Sequence, residues 1–154
     1  MKNVKINKEE YTFPMLAIDY GERRVGLAVS DGKGRVAMPL ETISHNPKKK
    51  VKNIEEYLVN EILEIYKRWD CSSILLGYPQ IFKESQQKSL EKFDRFHELL
   101  QDYTDTKIFL YDESYSTKNA YIMLRYRGGN EKTSKKKIDK VAAATFLQEF
   151  LDSI

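Results

Sequence analysis

Residues 15–31, MLAIDYGERRVGLAVSD, decide the fold. They read as two short apolar strands, 15–19 and 25–29, joined by a tight turn in which Gly21 supplies the backbone freedom. Gly26 admits a close approach of backbone or ligand. Strand alternation puts Met15, Ala17 and Asp19 on one face, and Leu16 and Ile18 on the other. Asp19 thus stands at the rim of an apolar face, where a carboxylate is costly unless something positive meets it. A metal ion, a Lys or Arg, or a helix N-terminus would serve. Asp before Gly is also a common turn residue, so this stretch alone leaves both roles open.

The rest of the chain bounds the reading. A length of 154 residues suits one domain with a real core, and 41% hydrophobic residues with 12% aromatics is globular composition. No apolar run reaches the length of a membrane span. Residues 1–14 read as a short polar extension without an apolar signal core, ahead of a single domain over 15–152. The single cysteine, Cys71, rules out an internal disulfide and suits a reducing, cytoplasmic location. With only His45 and His97 as histidines, a His/Cys zinc site is disfavoured. Oxygen ligands and Mg²⁺ or Mn²⁺ fit better.

Outward from the first hairpin, 36–43 is a third strand that Pro39 restricts to a sheet edge or a bulge. Apolar residues at 51, 54, 58, 62, 65 and 69 predict a helix. Residues 72–77 form a wholly apolar strand, buried on both faces. Leu90, Phe93, Phe96, Leu100 and Tyr103 mark a helix over 87–103. Residues 107–113 are a further buried strand ending in two acids. Ser116 or Thr117 caps a helix to about 127, and a last helix covers 134–151. Three closely joined strands should be antiparallel neighbours, and strands joined through helices should be parallel with right-handed crossovers. The expected architecture is an α/β, five-stranded mixed sheet with helices on its faces.

The last helix carries a second telling acid. Asp139, Ala142, Ala143, Phe146 and Phe150 share one face, apolar except for its first member. An Asp there also complements the helix dipole. Asp112 and Glu113 end the preceding strand, and alternation points them to opposite faces without choosing between them. Parallel strands leading into helices gather their C-terminal ends at one edge, where ligand sites collect. Carboxylates drawn together there repel unless a divalent cation neutralises them. Such a cluster is what two-metal phosphodiester hydrolysis requires.

Charge points the same way. Lys118, Arg125, Arg127, Lys132, Lys135, Lys136, Lys137 and Lys140 crowd residues 114–140, opposed by Glu131 and Asp139. Basic clustering favours phosphate-bearing partners, although a lysine-rich face can simply be solvated.

Four stretches in order, IDYGERRVGLAVSD, LLGYP, DESYST and IDKVAAATFLQ, resemble the YqgF (RuvX) family over residues 15–152. These are bacterial proteins of RNase H-like fold, described as Holliday junction resolvases and as pre-16S ribosomal RNA nucleases. The resemblance implies strand order 3-2-1-4-5 and carries the family's acidic triad onto Asp19, Glu113 and Asp139. It chooses Glu113 over Asp112. Its implied chemistry is Mg²⁺- or Mn²⁺-dependent hydrolysis of structured nucleic acid. The favoured reading is 5′ processing of pre-16S rRNA. The alternatives are resolution of branched DNA and binding without turnover. A two-domain actin-like kinase shares the Asp-x-Gly hairpin, but 154 residues supply one such domain. Arg23, Arg24, Lys118, Arg125 and the cations among 132–140 would hold the nucleic-acid backbone. Tyr20, Tyr78 and Tyr115 could stack on bases or pack internally. Two departures flank the site. Ser114 stands where the family usually has Arg, and residues 80–84 lack the family's polar loop. Lys83 or Arg24 could replace the missing cation. No long apolar surface stripe announces an interface, which favours a monomer over a dimer.

Overall fold

The computed structural model describes residues 10–21, 23–44, 53–78, 87–112 and 131–154, without the side chains of 87, 89 and 131–138. Strands β1 (Met15–Tyr20), β2 (Arg24–Ser30) and β3 (Ala37–Ser44) follow one another directly. Helix α1 (Ile54–Arg68), β4 (Ser73–Tyr78), α2 (Gln87–Tyr103), β5 (Ile108–Asp112) and α3 (Glu131–Ser153) complete the described elements. The sheet order is β3-β2-β1-β4-β5. β2 runs antiparallel to both β1 and β3, while β4 runs parallel to β1 and β5. The expected RNase H-like order is therefore the observed one.

Alternation sorts the strands cleanly between two layers. Leu16, Ile18, Val25, Leu27, Val29, Ile74 and Leu76 bury against α1 and α2. Met15, Ala17, Ala28 and Leu75 bury on the opposite face against Ala143, Phe146, Leu147 and Phe150 of α3. β1 and β4 are central and fully buried over Met15–Ile18 and Ile74–Leu76, which explains their apolar runs.

β3 is an edge strand, and its pairing with β2 shifts register between Leu27 and Ala28, opposite Glu41 and Pro39. Proline lacks the N–H a regular ladder needs, so both readings of Pro39 hold at once. β5 corrects the expectation of a buried strand. It closes the other edge, and Leu110 is 49% exposed. An apolar composition cannot separate a central strand from an edge strand with one covered face. α1 starts later than its apolar spacing suggests. The Asn53 side chain accepts the Glu56 N–H at 3.3 Å and caps it. Trp69, read as part of that stripe, is the exposed C-cap instead. Tyr103 likewise lies outside the core, its hydroxyl donating to Glu56 across the α1–α2 interface at 2.8 Å. The helix expected over 116–127 lies outside the described residues.

The segment just before β1, read as polar extension, is built into the sheet's lower end. The Tyr11 ring meets Phe109 and Phe150 edge-on, with centroids 4.8 and 4.9 Å apart. Thr12 Oγ1 donates to the Ser72 carbonyl, and the hydroxyls of Ser72 and Ser73 donate to the carbonyls of Phe13 and Thr12. The ring of Phe13 presses on Gly34, whose φ of +66° suits glycine and where a Cβ would strike that ring. α3 is tied to the same end. Gln148 accepts the Ala37 N–H and donates to the Arg35 carbonyl, both at 2.9 Å.

Candidate active site at the strand ends

The C-terminal ends of β1 and β4 lie side by side, with the start of β2 alongside. Asp19 comes near the end of β1. Its cross-strand partner is Gly26, and residues paired across an antiparallel ladder project to the same face. That face is α3's, since Met15 and Ala17 pack there four and two residues earlier.

Gly26 then brings in the second acid. A Cβ at this position would run into the backbone carbonyl of Asp139. The N-terminal half of α3 therefore rests directly on the β2 backbone, and only glycine leaves room for it. Ala142 and Ala143 in the next turn, both fully buried, keep the approach close. In this way one glycine joins Asp19, its partner in the ladder, to Asp139, the residue lying over it. Gly21, in the turn between β1 and β2, also answers a close approach. A Cβ there would sit 2.6 Å from the Arg24 carbonyl oxygen.

Asp139 is not left bare. Arg24 Nε donates to its Oδ2 at 2.6 Å, with the two side chains 33% and 19% exposed. Burial pushes the Asp139 carboxyl above its usual range, while the Arg24 hydrogen bond and charge pull the other way. Arg24 and Gly26 are two apart on β2, so alternation places both on α3's face. Arg24, expected among the backbone-binding cations, is thus engaged with an acid. Arg23 is exposed and Lys140 half-buried.

Asp112 pairs with Tyr78 on the opposite face. Its neighbour Tyr111 packs on α3, 5.7 Å from Phe146 and 6.0 Å from Phe150 between centroids, which turns Asp112 away from Asp19 and Asp139. Glu113, Ser114, Tyr115, Lys118, Arg125 and the loop 80–84 lie outside the described residues, as do the side chains of Lys132, Lys135, Lys136 and Lys137. Among the described residues no three metal-ligating side chains come together. Of the tyrosines, Tyr20 is stacked on Phe96 at 4.5 Å and serves as packing. Tyr78 stands edge-on to Phe93 at 5.4 Å and is 38% exposed.

Residues 14–153 match the RuvX family, described as "Holliday junction resolvase". The chain belongs to the RuvX family. Curated relatives are about a third identical to it over most of its length. A protein of Chloroflexus aurantiacus named "Putative pre-16S rRNA nuclease" is 32% identical over 90% of this chain and 86% of its own length. A Staphylococcus haemolyticus protein of the same name is 33% identical over 93% and 98%. Among solved structures, Thermus thermophilus RuvC bound to a Holliday junction superposes with a TM-score of 0.59 at 15% identity, over 89% of this chain and 92% of that one. The yeast mitochondrial resolvase Ydc2 gives 0.54 at 10% identity, over 92% and 79%. These likenesses establish the RNase H-like fold of this RuvX nuclease family member. Among its described residues, no helix is long and apolar enough to cross a membrane.

Proposed function

We propose that this chain is a divalent-metal-dependent endonuclease of structured nucleic acid, with the 5′ end of pre-16S rRNA as its substrate. Asp19, Glu113 and Asp139 are its catalytic carboxylates. The observation that carries the reading is the convergence of Asp19 and Asp139 on one face through Gly26. The rRNA assignment follows the name shared by relatives a third identical over nearly the full chain.

The donor set fits Mg²⁺ or Mn²⁺. Carboxylate oxygens are hard ligands, and the guanidinium lying on Asp139 supports a site whose charge calls for a cation. When bound, the metal supplies an activated water and stabilises the departing 3′ oxygen. The protein's own part is positional. β1 presents Asp19 from the end of a strand fully buried over Met15–Ile18, α3 presents Asp139 from a turn fixed against β2, and both carboxylates are thereby held before substrate arrives. Arg23 and Lys140 flank them and meet backbone phosphates, contacts that position the strand without reading its sequence.

The test is cleavage by purified protein with Mg²⁺ or Mn²⁺, on a pre-16S rRNA fragment and on a synthetic four-way DNA junction. Rates for the rRNA fragment should fall by about 10³-fold or more in Asp19→Asn. Cleavage of the junction alone would make the protein a resolvase, the activity in its family's description. Binding of either substrate with no cleavage would make it a non-catalytic nucleic-acid-binding factor.

A further inference from the structure

We propose that Arg24 is the resident counter-cation of Asp139 and is displaced when a divalent cation binds that carboxylate. The proposal rests on the reading of Asp139 as a metal ligand and adds an exchange step to it.

The contact is short and charge-assisted, 2.6 Å from Nε to Oδ2. It runs through Nε, one of the five guanidinium donors, and not through the two-pronged fork that makes Arg–carboxylate pairs hardest to separate. Freedom to move is unequal between the partners. The Asp139 backbone lies against Gly26 and cannot back away without lifting α3 off the sheet. Arg24 is a long side chain at the first residue of β2, a third exposed, and can swing to solvent. A guanidinium and a divalent cation a few ångströms apart on one carboxylate repel strongly in a half-buried site. Exchange therefore moves the arginine and leaves the acid in place. Until then, Arg24 offsets the burial of Asp139 and holds its rotamer. The same strand thus supplies both the seat for α3 and the cation for its acid.

The experiment uses the full chain and Mg²⁺ alone, without substrate. Calorimetry on wild type and Asp139→Asn first establishes the cation site. Absent binding, or equal binding in both, removes the metal-ligand reading and this proposal together. With binding weakened in Asp139→Asn, the Arg24 Nε–H proton decides the exchange, followed by NMR in wild type. Saturating Mg²⁺ should speed its exchange with water by about tenfold or more, because the carboxylate acceptor is lost. An Nε–H that stays protected while Mg²⁺ is bound would overturn the proposal and leave the metal site standing. Arg24→Gln should bind Mg²⁺ about fivefold or more tightly, a typical coupling between competing ligands. Unchanged or weaker binding would overturn it. A purely structural Arg24 would move neither quantity in that direction.

Discussion

Gly26 is the residue on which the candidate site turns. Every other way of seating α3 would separate Asp139 from β2 by at least the thickness of a side chain. Gly26→Ala should therefore cost about 3 kcal/mol or more, at or beyond the upper end of ordinary overpacking because the clash is with backbone. Urea unfolding followed by circular dichroism checks it, and near-wild-type stability would mean that α3 shifts freely over the sheet. Close approach at this glycine was legible in the sequence, but what approaches was not. Asp139 is 113 residues away in the chain, and no local pattern announces that its carbonyl lies over this position. The Arg24–Asp139 pair was hidden for the same reason. The acidic stripe position of Asp139 was readable from helical periodicity, its partner only from the fold.

Among the elements, the strands were the most readable and the chain's start the least. Alternation across β1 and β2 and the apolar run of β4 follow directly from which faces are covered. Residues 11–14 carry no periodicity, yet Tyr11 fills the gap between α3 and β5 at the end of the sheet opposite Asp19. Such a segment is invisible to pattern because its contacts are with Phe109 and Phe150, far along the chain. Tyr11→Ala should cost about 2 kcal/mol or more, through lost ring contacts and area burial. Thermal unfolding is the check. Cleavage measured well below the midpoint should stay within about twofold of wild type, since remote packing leaves transition-state contacts intact. A larger loss would show that this end of the sheet communicates with the acids.

At the scale of the whole molecule, burial makes stability sensitive to alkali, most strongly at two of the described residues. Burial, helped by the charge of Asp70, pushes the Cys71 thiol from 9.0 to about 11. Burial, helped by Glu149 and Asp112, pushes the Tyr111 phenol from 10.0 to about 12. Both hold their protons longer when folded than when unfolded. Their contribution is complete below pH 9 and is lost as pH rises towards 12. Melting temperature should be flat from pH 7 to 8.5 and fall above it. At pH 8, iodoacetamide should label Cys71 slowly in the native protein and rapidly in urea. Fast native labelling would contradict its burial.

The contact between Gly26 and Asp139 also has an evolutionary reading. Position 26 answers to architecture, because it determines whether the last helix can lie on the sheet. Position 19 answers to chemistry, because β1 is already held by the residues before it. A descendant released from selection for cleavage should drift at 19 while keeping glycine at 26. Comparing the two positions across a lineage would date the loss of catalysis separately from any loss of the fold.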